Sequence, residues 1–239
     1  MSADSPTPAP CSVAAPTLNR AVSSRAPTDD DEQDRLLCER YRAWAPAYDR
    51  AFASYSETTL AKALEFLGEP LPKRVLDLAC GTGLLGERLL RACPTMQLVG
   101  IDRSREMLDR AQERLGKRGD ATLIVGRAEQ LPLANRSVDA VVVANAFHLI
   151  SDPYSSLNEC RRVLVPGGRL VIVDWCGDAM PMRILALALR ATQRLRRDIR
   201  GVAAMRDLLR TAQFSGIRTE RFTARPMWGL MAISATRPA

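Results

Sequence analysis

The chain runs to 239 residues, 46% of them hydrophobic and 26% charged, with a formal net charge of +7 at pH 7. That length can bury one sizeable core, and no apolar run approaches the roughly 18 residues of a membrane-crossing helix, so the composition predicts a soluble protein. Lys62, Lys73 and Lys117 are the only lysines, so the excess charge is arginine, which suits nucleic acid, anionic lipid or an acidic small molecule without choosing among them.

In chain order, residues 1–33 are rich in Pro, Ala, Ser and Thr, lack a periodic apolar face, and are expected to form a disordered tail. Positions 5–28 hold Arg20 and Arg25 and no acidic residue, a pattern shared with organellar transit peptides. The expectation is a cytoplasmic protein with an uncleaved tail, and the alternative is a plastid or mitochondrial one. Residues 34–70 read as a helical cap of two helices broken near Pro46.

From 71 to 239 the pattern is that of a single domain. "RVLDLA", "QLVGID", "ATLIVG", "VDAVVVAN" and "GRLVIVDW" alternate with "LLGERLLRA", "REMLDRAQERLG" and "YSSLNECRRVL". Such alternation marks βαβ units and a parallel sheet. The continuous apolar runs "LVGI", "TLIV" and "AVVVA" read as strands covered on both faces, and "VPGG" at 165–168 as a tight turn into the fifth strand. An arginine-studded helical insertion near 180–200 follows, then a helix, "VAAMRDLLRTAQF", and two strands, "IRTERFT" and "WGLMAISAT". The short "ARPM" link between these strands favours a hairpin. The predicted fold class is therefore α/β: a doubly wound, Rossmann-like seven-stranded sheet with a C-terminal antiparallel hairpin. Six cysteines (Cys11, Cys38, Cys80, Cys93, Cys160 and Cys176) form no Cys-x-x-Cys pair and no cluster with the single histidine. That argues against a zinc site or disulfide framework and for free thiols.

Chemistry is concentrated after the first strand, where Gly81, Gly83 and Gly86 fit the pattern G-x-G-x-x-G. In such folds glycines let a ligand approach the backbone and the following helix offers free N–H groups. A nicotinamide dinucleotide and S-adenosylmethionine are both candidates for that crevice. Asp77, four residues before Gly81, would repel a pyrophosphate and attract an ammonium or sulfonium. Asp102, ending the second strand, can accept ribose hydroxyls in either case, or share a helix cap with Ser104. No tyrosine is followed four residues later by lysine, so the catalytic pair of short-chain dehydrogenases is absent.

"VLDLACGTG", "GIDRSREML", "GRAEQLPLANRSVDAVVVANAFHLISDP" and "LNECRRVLVPGGRLVIVDW", in this order and spacing, resemble the class I S-adenosylmethionine-dependent methyltransferases. The nearest branch is that of ubiquinone and menaquinone biosynthesis; the resemblance covers about residues 40–175 well and the rest loosely. "YRAWAPAYD" resembles that branch's N-terminal helix, which caps the cofactor. The resemblance implies S-adenosylmethionine as cofactor. Asp77, Ala79, Gly81 and Gly83 would line its methionine part, Asp102 would bind the ribose, and Arg103, Met107, Ala128 and Glu129 would lie around the adenine. Asn145 would mark the junction with the methyl acceptor. Tyr41 and Tyr48 either reach over the cofactor or serve as interface aromatics.

A sulfonium-activated methyl group makes a catalytic base optional. His148, the single histidine, is the nominee, its alternative being a packed histidine that moves no proton. Nucleic-acid amino-methyltransferases resemble one another in an Asn/Asp-Pro-Pro-aromatic motif, which "NAFH" lacks, and "VVVANAF" offers no carboxylate for metal-assisted catechol chemistry. The expected partner is a small molecule, with no nucleic acid and no metal. The basic segment at 180–200 is either a peripheral membrane contact or an ordinary helix with a solvated face. An oxidoreductase and a non-catalytic cofactor-binding protein stay open as alternatives.

Overall fold

The computed structural model describes residues 35, 36, 39, 41, 47–116, 121–184, 187, 198–224 and 228–239. The expected tail at 1–33, the break near Pro46, the "ARPM" link and most of the basic segment lie largely outside the described residues. Two helices, α1 (Tyr48–Ala51) and α2 (Ala53–Leu67), precede the sheet. Then come β1 (Arg74–Leu78), α3 (Leu84–Ala92), β2 (Gln97–Asp102), α4 (Arg105–Leu115), β3 (Ala121–Val125) and β4 (Val138–Ala144). A 3₁₀ turn (Phe147–Leu149), α5 (Pro153–Val163), β5 (Leu164–Trp175), α6 (Val202–Thr211), β6 (Ser215–Thr223) and β7 (Gly229–Thr236) complete the order.

The strands form one seven-stranded sheet in the order β3-β2-β1-β4-β5-β7-β6. Pairing from β3 to β5 is parallel, and β7 lies antiparallel between β5 and β6. Alternation along each strand feeds two apolar layers. Val141 and Val143 pack with Leu157, Cys160 and Leu209, while Ala140 and Val142 pack with Phe66, Leu67 and Leu89 on the other face. The expected fold class is the observed one. Strands are added outward from β1 on one side as far as β3 and on the other from β4, and this switch between parallel β1 and β4 opens a crevice beyond their carboxyl ends, where such sheets bind ligands.

Two local expectations differ. β3 is an edge strand in which Ala121, Leu123 and Ile124 are half-buried and Val125 is 48% exposed, so the run "TLIV" is only partly covered on either face. "VPGG" does not turn ahead of the strand. Leu164 already pairs with Val138 and pairing resumes at Arg169 opposite Ala140, so residues 165–168 form an irregularity within β5. Gly167, at φ +76°, accommodates that bend.

The buried layer and the exposed edge should respond differently to truncation. Leu157→Ala, at a fully buried site, is expected to lower unfolding stability by about 2–5 kcal/mol. Val125→Thr should stay within about 0.5 kcal/mol, both read from urea midpoints.

Candidate active site

The loop after β1 shapes the pocket floor. Ala79 and Gly81 hold φ of +59° and +53° and both line the cavity. A Cβ on Gly81 would meet nothing within 4 Å, so this glycine leaves room for a ligand. Gly83, at φ +79°, does not line the cavity. A Cβ there would lie 3.3 Å from the Ala111 backbone and 3.1 Å from Leu115, so its smallness lets the start of α3 pack on α4.

Beneath the loop lie two carboxylates. Asp77 is buried in β1 beneath the loop and does not itself line the cavity; the Gly86 amide in the first turn of α3 faces its carboxylate, and Oδ2 is buried with no hydrogen-bond partner among the described residues. Burial first, and then the neighbouring Asp102, push the Asp77 carboxyl up to about 7, against the pull of the Gly86 amide. The amide-rich helix start that would hold a pyrophosphate thus already faces a carboxylate, which weighs against a dinucleotide. Asp102 joins two segments: Gly81 N–H donates to Oδ2 and Ser104 N–H to Oδ1, each at 2.9 Å. Burial raises its pKa, with the Ser104 and Gly81 amides opposing. Ser104 caps α4 by accepting from Met107 N–H at 3.2 Å, so the cap alternative and a ligand role for Asp102 coexist.

Around the rim stand Arg103, Met107 and Ala128, with Tyr41 reaching in from the N-terminal segment. Glu129 is not a lining residue. Its oxygens are buried with no hydrogen-bond partner among the described residues, and it pairs with Arg127 at 3.7 Å and Arg103 at 4.0 Å. The opposite wall is Asn145, in the left-handed region at φ +61°. Its Nδ2 donates to Thr59 Oγ1 at 2.9 Å, its backbone N–H to Val173 O at 2.7 Å, and its buried Oδ1 has no partner among the described residues. Non-glycine residues held at positive φ on both walls, Ala79 and Asn145, are local strain of the kind found at binding sites.

A second set of contacts, illegible in the sequence, fastens the N-terminal cap to the glycine loop. Asp49 of α1 accepts from Thr82 Oγ1 at 2.6 Å and pairs with Arg114, which also donates to the Thr82 carbonyl and lies 3.3 Å from Glu87. Tyr48 opens α1 next door, but its side chain is outside the described residues.

His148 lies on the 3₁₀ turn beyond Asn145 but does not itself line the pocket; Ala146, Leu149 and Ile150 of the same turn do. It is buried at 5% exposure with Nδ1 2.7 Å from Asp174 Oδ1. Asp174 was missed from the sequence, although an acid inside "VIVDW" is a signal in an otherwise apolar strand.

Residues 76–172 match the family described as "Methyltransferase domain". A malonyl-[acyl-carrier protein] O-methyltransferase of Methylococcus capsulatus is 33% identical over 204 residues, 83% of this chain and 73% of that protein. A demethylmenaquinone methyltransferase of Thermotoga maritima is 44% identical over 113 residues, 47% of this chain and 48% of that protein. The chain thus spans about half the length of several curated relatives that it matches. Among solved structures, a chain of the Haloferax volcanii complex between the Trm112 methyltransferase activator and a methyltransferase superposes with a TM-score of 0.70 at 20% identity. That superposition covers 83% of this chain and 98% of that one.

The raised Asp77 carboxyl has a sign that can be measured. Its folded-state pKa of about 7 lies above the ordinary aspartate value of 3.8, so the ligand-free fold binds the extra proton between those values and loses stability as pH rises through that window. Asp77→Asn is therefore expected to be more stable than the wild type at pH 8, by on the order of 1–3 kcal/mol, with the gain vanishing near pH 4. Urea midpoints at the two pH values give the comparison, and equal midpoints at pH 8 would show that the charge sits there without penalty.

Proposed function

Because the chain belongs to the class I S-adenosylmethionine-dependent methyltransferases, in the branch of the ubiquinone and menaquinone enzymes, we propose that it methylates a small hydrophobic molecule. What carries this reading is the pair of buried carboxylates at the glycine loop, Asp102 lining the cavity and Asp77 beneath it with Oδ2 unpartnered among the described residues, a negative site suited to a cationic ligand. The residues present fit S-adenosylmethionine. Asp77, Ala79, Gly81 and the free Asn145 oxygen would hold the methionine part, Asp102 the ribose, and Arg103, Met107 and Ala128 the adenine. When bound, the cofactor supplies a methyl group already activated by its sulfonium charge. The chain's own task is to orient the acceptor and exclude water, effects worth about 7–11 kcal/mol of a barrier.

Support for a hydrophobic acceptor comes from the wall beyond Asn145, where Ala146, Leu149 and Ile150 face the cavity. The similar proteins are named for a demethylmenaquinone and a malonyl-[acyl-carrier protein]; a quinone precursor fits that wall, whereas an acyl carrier would need a docking surface as well. A peripheral membrane contact is a second element of this reading. Met180, Ile184 and Leu187, spaced along one helical face, are each at least 64% exposed, and Arg183 lies among them.

Calorimetric titration tests the cofactor. S-adenosylhomocysteine is expected to bind, Asp102→Ala and Asp77→Asn to weaken it tenfold or more, and NADH to give no heat; NADH binding, or silence from both ligands, would refute the reading. For the surface, co-sedimentation with phosphatidylglycerol vesicles should exceed that with phosphatidylcholine vesicles and fall in an Ile184→Asp, Leu187→Asp variant. Equal pelleting of that variant would remove the membrane contact.

A further inference from the structure

Asp174, the penultimate residue of β5, carries a carboxylate that three donors converge on. The His148 backbone N–H donates to Oδ2 at 2.7 Å; Oδ1 accepts the Trp175 backbone N–H at 2.7 Å and faces His148 Nδ1 at 2.7 Å. A carboxylate so surrounded is an acceptor, which makes Nδ1 the protonated nitrogen and leaves the lone pair on Nε2. Nε2 has no hydrogen-bond partner among the described residues. The ring cannot turn away, because it stacks on Trp175 at 4.3 Å with the planes 10° apart. A purely structural contact to Asp174 would require only a donor. Here a buried imidazole is fixed by its face and by one nitrogen, with the other unpaired among the described residues.

The surroundings are aromatic. Trp175 Nε1 donates to Tyr55 Oη at 2.9 Å, and the half-buried Trp228 packs on Trp175 at 5.3 Å and on Tyr55 at 5.5 Å. Tyr55 lies one turn before Thr59, the partner of Asn145, so this aromatic cluster is linked through α2 to Asn145 on the pocket wall. By register, Ala144 pairs with Val173, so His148 and Asp174 sit at the carboxyl ends of β4 and β5, on the side of the crevice away from β2 and Asp102.

Resting on the methyl-transfer reading, we propose that His148 is the proton acceptor of the reaction, that Asp174 is its positioning residue, and that the acceptor substrate is a planar, conjugated hydroxyl compound, a phenol or enol, methylated on oxygen. The substrate hydroxyl gives its proton to His148 Nε2 as its oxygen bonds to the methyl carbon. The carbon–sulfur bond breaks with its electron pair left on sulfur, and the resulting imidazolium is stabilised by Asp174.

Because His148 is the chain's single histidine, ¹⁵N-histidine labelling yields one imidazole to observe by long-range ¹H–¹⁵N NMR. The expected spectrum of the neutral wild-type ring has Nδ1 protonated and Nε2 bare, and Asp174→Asn shifts it towards the other tautomer. With labelled methyl donor, 1-naphthol and 1,4-naphthohydroquinone are the oxygen probes and 1-naphthylamine the nitrogen control. His148→Gln and Asp174→Asn are expected to lower kcat on the oxygen probes by roughly 10²–10⁴-fold while KM and the affinity for S-adenosylhomocysteine move less than threefold. A wild-type ring protonated on Nε2, or a kcat unmoved by His148→Gln, overturns the dyad. Binding of S-adenosylhomocysteine with no methylation of either oxygen probe, or with preference for the amine, overturns the acceptor class alone. Failure to bind S-adenosylhomocysteine instead removes the underlying methyl-transfer reading.

Discussion

The site is organised around two carboxylates that the sheet holds out of water at its switch point. Asp77 and Asp102 are both buried, and each raises its energetic cost by proximity to the other or by loss of solvent. Backbone amides at the ends of neighbouring elements hold them: Gly86 in the first turn of α3, Gly81 in the loop, Ser104 at the cap of α4. Those amides are available only because the loop bends through positive φ at Ala79, Gly81 and Gly83. The glycine loop therefore does more than clear space. It turns the chain so that its own N–H groups face inward, onto carboxylates, and the negative charge so concentrated selects a cationic ligand over a phosphate.

A floor of this kind needs walls that do not relax. Asn145 is held in a left-handed conformation by two anchors, the Thr59 hydroxyl from α2 and the Val173 carbonyl from β5, so its free oxygen has a fixed direction. On the other side the Asp49, Arg114 and Thr82 contacts fasten α1 to the glycine loop and to the end of α4. The cap and the loop are thereby one mechanical unit: displacing α1 removes hydrogen bonds from the segment that carries Gly81. Partly exposed ion pairs add little to global stability, so the consequence of this set lies in the position of the cap.

Strand alternation and the glycine motif were legible because they are local. Period and turn chemistry act over a few residues, so the sheet from β1 to β5, the hairpin and the placement of Asp102 and Asn145 could be read directly. Insertion of β7 between β5 and β6 could not, since either hairpin strand satisfies the same apolar pattern until the pairing partner is known. "TLIV" looked fully covered because apolar composition does not distinguish an edge strand from a central one. Gly83 looked like a ligand contact because its motif position is shared by glycines that serve packing, and only the nearness of Ala111 shows which applies. Asp49 and Arg114 are 65 positions apart and Thr59 and Asn145 86, separations over which a single sequence carries no pairing signal.

His148 shows the same boundary from the other side. Its position after the fourth strand was visible, but whether it moves a proton depends on what holds its ring, and that came from a strand 26 positions away. Asp174 is unremarkable in sequence except as an acid inside an apolar run, yet in space it fixes the tautomer, while Trp175, the next residue, fixes the plane. Pairing with β4 ends at Val173, one residue before Asp174, while β7 still pairs with Asp174 and Trp175, so the end of β5 that meets the imidazole is held from the β7 side. The cofactor side of the crevice is thus built from backbone amides on a rigid loop, and the acceptor side from side chains at a strand end. A family that keeps one cofactor and changes acceptors can vary the second without disturbing the first.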